Sequence, residues 1–215
     1  MWARTIAIIL PWAIILLAGC EQAAPEPEKP EEPPPPTAEE IYRDLRQPIA
    51  PLWQQDITVA EATSIPNAFQ TAYARHRSAL NIDEARRRIT NEVEQRVRET
   101  RRNKQARVLK GAVGVYKILE PGSTRFESHE RWADLMIAQP NVAIRGFFSQ
   151  GDTAYVMLTV IDPQTGAQYP MQVREGDRFY RETLRLKEII GNNAGIEVIY
   201  QPTQEIRETF TVMAG

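Results

Sequence analysis

Cysteine is almost absent from this chain of 215 residues: there is one, Cys20. A lone thiol excludes an intramolecular disulfide and any multi-cysteine metal site. Histidine is nearly as scarce, with only His76 and His129 and no H-x-x-x-H pair. No metal and no cofactor are expected on that basis. Glycine-rich phosphate loops and the dinucleotide fingerprint are missing, and Ser123, Ser128 and Ser149 stand in no G-x-S-x-G context. An excess of one charge is lacking too, because 26 Lys and Arg meet 28 Asp and Glu for a net −2. The whole chain is therefore not drawn to nucleic acid or to an anionic surface. The longest apolar run, residues 6–18, has 13 positions, short of the roughly 20 a helix needs to cross a bilayer.

That run has a short positive start in Arg4 and ends at Leu17-Ala18-Gly19-Cys20. The quartet resembles the lipobox of bacterial lipoproteins, L-[AS]-[GA]-C, at the end of an export signal. The resemblance implies cleavage before Cys20 and a lipid thioether on its sulfur. The protein would then sit on the periplasmic face of a bacterial membrane, anchored by its acyl chains. Residue 21 is Glu, and the sequence leaves inner and outer membrane open.

The prolines, 16 in all, are crowded. Residues 21–36 are Pro, Glu and Ala with almost no large apolar side chain, and include Pro33-Pro34-Pro35-Pro36. Such a stretch cannot bury enough surface to offset chain entropy, so a disordered spacer is expected. Beyond it, Thr37-Ala38-Glu39-Glu40 has the capping-box pattern, with Ile41 and Leu45 four apart, predicting a short helix that ends before Pro48. Pro48, Pro51 and Trp53 read as an ordered turn. Ser64 and Pro66 suggest another helix start, with Phe69, Ala72 and Tyr73 on one face.

Asn81-Ile82-Asp83-Glu84 is a second capping signal, and a long helix to about Lys110 should follow. Residues 75–110 carry twelve Lys and Arg against five acids, a local net of +7. The clusters Arg86-Arg87-Arg88 and Arg101-Arg102-Asn103-Lys104 make Arg86, Arg87, Arg88, Arg101, Arg102 and Lys104 a candidate contact patch. The apolar stripe beneath is thin: Ile82, Ala85, Ile89, Val93 and Val97. Two readings stay open, a solvated helix packed along one seam, or a helix lying on anionic lipid or cell-wall polymer. Nucleic acid is not expected, because no aromatics interleave with the arginines and the compartment is wrong.

From residue 113 the pattern turns to period 2 with dense β-branched residues. It predicts a strand at 113–119, a turn at Glu120-Pro121-Gly122-Ser123, and an amphipathic helix over 127–138 carrying Trp132, Leu135 and Met136. Strands follow at 142–148, 153–161 (apolar, hence central), 168–174, 184–190, 196–200 and 206–212, separated by turn sequences. The expected fold class is α+β: a disordered tether, a long basic helix, then a small antiparallel β barrel or sandwich of about six strands. The parts divide as signal 1–19, tether 20–38, helical region 39–112 and β-rich domain 113–215.

Arg145-Gly146-Phe147-Phe148, Ala154-Tyr155-Val156-Met157-Leu158, Val173-Arg174-Glu175-Gly176-Asp177 and Leu186-Lys187-Glu188-Ile189-Ile190 together resemble a compact β-domain. It is that of PilP-type pilus lipoproteins and of the periplasmic homology region of type II secretion GspC proteins. The V-x-x-G-[DE] turn, an I…G…I-x-V hairpin, and the order of lipobox, proline-rich tether, helical stretch and terminal β-domain carry the likeness. The long basic helix and the helix around Trp132 depart from it. The resemblance implies a periplasmic adaptor that docks on envelope assembly proteins, with no catalytic residues to carry over. Glu175-Gly176-Asp177 lacks the spaced oxygens of a calcium loop and reads as a β-turn. His129 beside Glu127 and Glu130 reads as solvated, and Trp53 and Trp132 as core or seam residues. The expectation is a non-enzymatic binding module with a protein partner in the envelope. The alternative is a structural lipoprotein that contacts peptidoglycan or anionic lipid through its basic helix.

Overall fold

The computed structural model describes residues 34–215. The expected export signal, Cys20 and all but the last residues of the expected tether lie outside the described residues. Five α-helices come first: α1 (Ala38–Arg46), α2 (Val59–His76), α3 (Ile82–Arg102), α4 (Ala106–Leu119) and α5 (Glu127–Ile137). A 3₁₀ turn, Ala50–Trp53, separates the first two. The strands follow as β1 (Asn141–Gln150), β2 (Thr153–Ile161), β3 (Gln168–Val173), β4 (Arg178–Phe179), β5 (Leu184–Ile190), β6 (Gly195–Tyr200) and β7 (Glu208–Met213).

Helix α1 starts where the capping box places it: the Thr37 hydroxyl accepts from the Glu40 N–H, and the Glu40 carboxylate accepts from the Thr37 N–H at 2.8 Å. The same box, Thr58 with Glu61, starts α2 at Val59, which corrects the start expected at Ser64 and Pro66. Pro66 instead lies inside α2, where its ring would ordinarily disrupt the helix. Gly114 of α4 accommodates it, since a Cβ there would stand 2.5 Å from the Pro66 Cγ. Alanine normally gains about 1 kcal/mol over glycine inside a helix, but overpacking costs about 1–3 kcal/mol. Gly114→Ala is therefore expected to destabilise, by about 1 kcal/mol or more, and urea unfolding checks the sign.

The long helix expected to run to Lys110 breaks instead at Asn103. Lys104 takes a left-handed φ of 55°, the Asn103 N–H closes on the Glu99 carbonyl, and the Gln105 N–H on that of Thr100. Asn81 stands at the start of α3 without capping it, because its side-chain amide donates to the Pro36 carbonyl at 3.2 Å. The strand expected at 113–119 is the second half of α4. This helix buries Val108, Leu109, Ala112, Val113, Val115, Tyr116 and Leu119. It packs against α2, α3 and α5, so it is apolar on nearly every side and its sequence loses the polar stripe that marks a surface helix.

The helices share one core, built on Ile41, Leu45, Leu52, Phe69, Ile89, Val93, Val97 and Leu109 among others. The strands form two antiparallel sheets, β1-β2-β3 and β4-β5-β6-β7, with β2 central in the first as expected. Bulges fall at Arg145 in β1 and Lys187 in β5, where the register shifts. Val156, Leu158 and Val160 of the first sheet and Leu184, Leu186, Ile196 and Val198 of the second make one buried cluster. Among the described residues every strand pairs only with chain neighbours, and β1 and β7 approach within 8 Å without pairing. The α+β class holds, but no closed barrel exists among the described residues. Met136 of α5 packs against both cores.

Candidate interaction surface

The six cations of the candidate patch divide between two places. Arg86, Arg87 and Arg88 lie near the start of α3, whereas Arg101, Arg102 and Lys104 lie at its end, about 20 Å away at 1.5 Å per residue. Arg86 turns back onto α4: its guanidinium donates to the Leu119 carbonyl at 3.1 and 2.7 Å and pairs with Glu120 at 3.0 Å, capping the helix end. Arg88 pairs with Glu39 at 2.7 Å and lies over the Tyr42 ring. Arg101 lies 3.9 Å over the Trp132 ring, and Lys104 pairs with Glu208 at 2.5 Å. Among the described residues, only Arg87, on the Asp83 carbonyl at 3.4 Å, and Arg102 of these six are exposed with little or nothing to hold them. The apolar stripe of α3 is covered within the chain, by α1 and α4.

Arg96 was missed by the sequence reading. It falls on the stripe itself, seven after Ile89, and is only 7 % exposed. Its guanidinium donates to the Leu52 and Gln54 carbonyls and to Glu99. An arginine in register with an apolar stripe was the available signal.

A cleft of about 530 Å³ opens where the α3–α4 turn, α5 and the start of β7 meet, lined by Lys104, Arg107, Trp132, Met136, Glu208 and Phe210 among others. Burial would push the Glu208 carboxyl up. Hydrogen bonds from Lys104 and the Trp132 indole N–H outweigh that effect and hold it below its ordinary value. Arg107 pairs with Asp56 at 3.1 Å. The charges thus cancel in pairs, and the arrangement fastens β7 to the helices without aiming a free group into the cleft.

The remaining chemical candidates have structural partners. His129 stacks its edge against Phe126 and touches Ser128, with neither Glu127 nor Glu130 on its ring; burial, and then Arg101, lowers its pKa. Glu130 pairs with Lys117. Glu175-Gly176-Asp177 is a turn, with Gly176 at φ 90° and the Glu175 carboxylate accepting from the Ile189 N–H. Asp162 accepts from the Gln164 N–H, the Tyr180 hydroxyl and the Thr165 N–H, which keep its carboxyl below the usual range. Trp132 is buried in the helical core, whereas Trp53 is 37 % exposed beneath the Arg46 guanidinium, which corrects its reading as a core residue. Among the described residues no group of three His, Cys, Asp or Glu could hold a metal, and no helix is long and apolar enough to cross a membrane.

What remains is the strand edges. β4 is two residues long, β3 carries Pro170 without an N–H, and β1 is interrupted by its bulge. Such features blunt an edge. β7 has none of them: after Glu208 it reads Thr209-Phe210-Thr211-Val212-Met213, unbroken in register with β6. Thr209, Thr211 and Met213 are exposed.

No family model matches the chain, and no curated protein and no solved structure is similar enough to it to count as a match.

Proposed function

We propose that this protein is a membrane-tethered, non-enzymatic binding module of the bacterial envelope that takes a strand of a partner protein along β7. The uninterrupted, uncharged edge from Thr209 to Met213 carries the reading. An unpaired edge recruits an extended segment through main-chain pairing, which needs no catalytic group, and β7 forms no ladder with β1 although the two strands approach within 8 Å. The lipobox-like quartet at Cys20 and the proline-rich stretch after it support the tether. The likeness to PilP-type lipoproteins and the GspC homology region supports an adaptor role in a pilus or secretion assembly. The alternative, contact with peptidoglycan or anionic lipid through α3, has less behind it, because Arg86, Arg88, Arg101 and Lys104 are held by groups of the same chain.

A photo-reactive residue at Thr211 should give a discrete cross-linked product in native membranes, whereas the same residue at Gln172 on the β3 edge should not. In the same cells Cys20→Ser should move the protein from the membrane to the soluble fraction. Absence of any product from Thr209, Thr211 and Met213 together sinks the β7 reading, and full retention of the serine variant in membranes sinks the tether.

A further inference from the structure

The face of the second sheet that points away from its core is charged in an unusual order. Phe179 and Leu184, paired across β4 and β5, are buried, so their neighbours Arg178 and Arg185 both point outward, directly opposite one another. Like charges in that relation destabilise a sheet. Among the described residues neither arginine has an ion-pair or side-chain hydrogen-bond partner, and the same holds for Arg207, which precedes β7 and acts electrostatically on Lys187. All three are exposed. Between Arg185 and Thr209 in the register sits Ile199, only 4 % exposed, yet outside both apolar clusters. The stems of long side chains on that face cover such a residue while their charged ends stay in water.

One repeat further along the strands, about 7 Å at 3.3 Å per residue, the sign reverses. Glu188 stands directly opposite Glu197, with Lys187 paired to Glu197 alone. The face therefore has a cationic end built from an unfavourable cross-strand pair and an anionic end whose like-charged pair Lys187 offsets in part.

We infer that this face is a docking surface for a protein segment that is acidic opposite Arg178, Arg185 and Arg207. The reversal of sign chooses the class of partner. A uniformly anionic surface, such as a phospholipid bilayer, would meet Glu188 and Glu197 as soon as it reached the arginines. A polypeptide can place acids at one end and a base or neutral residue at the other. The like-charged pairs are costs within the isolated chain that complementary charges on a partner remove. This inference rests on the reading of the strands as the binding part of the protein, but it does not require pairing along β7.

The test uses the full-length protein with two probes at physiological salt: the octapeptide Glu-Thr-Glu-Thr-Thr-Lys-Thr-Lys, acidic in its first half and basic in its second, and phosphatidylglycerol vesicles. The peptide should bind. The double substitution Arg178→Glu/Arg185→Glu should weaken it about tenfold or more, a loss of about 1.4 kcal/mol by the tenfold conversion. Arg87→Glu/Arg102→Glu, on the helices, should leave the peptide's affinity unchanged. The single substitution Arg178→Glu replaces a repulsive pair by an attractive one, so its Tm should rise while peptide affinity falls. That combination separates lost recognition from lost folding. Equal peptide affinity for wild type and Arg178→Glu/Arg185→Glu overturns the inference. So does vesicle binding that depends on these arginines when the peptide does not bind, because the surface would then be a lipid contact. Cross-linking from Thr211 in a protein that does not bind the peptide would leave the β7 reading standing while this one falls.

Discussion

Arg96→Ala is expected to lower the stability of the folded chain by about 2–4 kcal/mol, a value set by four terms of different size. The Leu52 carbonyl lies on a fully buried residue, and without the Arg96 Nε–H it loses its donor. An orphaned buried acceptor costs about 1–3 kcal/mol. The Gln54 carbonyl, on an exposed residue, can turn to water, so the lost Nη2 bond of 3.0 Å adds little. The ion pair with Glu99 also adds little, since that carboxylate is half exposed and such pairs contribute about 1 kcal/mol at most. The aliphatic stem, packed in the seam of α3, supplies the rest. Arg96→Met keeps the stem and drops the donors, so it should fall between alanine and wild type in urea unfolding followed by circular dichroism. If methionine and alanine cost the same, the stem contributes nothing and the carbonyls account for the whole effect. If both lie within about 0.5 kcal/mol of wild type, the 3₁₀ turn at Ala50–Trp53 does not depend on α3.

Much of the architecture could be read from the turns. The breaks expected near 151, 162–166, 175–177 and 191–195 coincide with Gly151, Gly166, Gly176, Gly191, Asn192 and Asn193 at positive φ. Strand limits follow from such residues because few others adopt that backbone without strain. β4 was illegible for the converse reason. The turn beside it places Tyr180, Arg181 and Glu182 at φ of 44°, 56° and 61°, residues that carry no turn signal. The surrounding contacts hold this turn, including the Tyr180 hydroxyl on Asp162 at 2.9 Å. The second half of α4 was misread because a short apolar run fits a buried strand as well as a buried helix. Packing against α2, α3 and α5, supplied by residues distant in the sequence, decides between them.

The charged groups were legible as residues and illegible as a surface. Counting cations over 75–110 finds all six members of the candidate patch but not their partners. The Arg86 acceptor lies 33 residues away and that of Lys104 lies 104 away. Charge in sequence measures supply; whether a cation faces solvent depends on contacts that form only when distant elements pack. The outer face of β4–β7 shows the reverse. Its arginines are scattered at 178, 185 and 207 and form no run, yet strand pairing brings the first two opposite each other.

Trp132 links the helical core to β7 through Glu208, and Trp132→Ala is expected to cost about 3–5 kcal/mol. The ring is 2 % exposed, lies under Arg101, and donates from its indole nitrogen to Glu208 at 3.2 Å. Trp132→Phe separates the packing from the hydrogen bond. It keeps most of the apolar area, so the loss should be about 1 kcal/mol. The pH dependence of that loss identifies its source. Glu208 has its carboxyl held below the ordinary value in the folded chain. It therefore contributes stability above its unfolded pKa of about 4.3, and that contribution disappears as pH falls through the folded value. Removing one of its two donors raises the folded pKa toward the unfolded one, so the Trp132→Phe deficit should be largest at neutral pH and shrink in acid. A deficit of the same size at pH 7 and at about pH 3 would place the effect in ring packing and clear Glu208 of any part in fastening β7 to the helices.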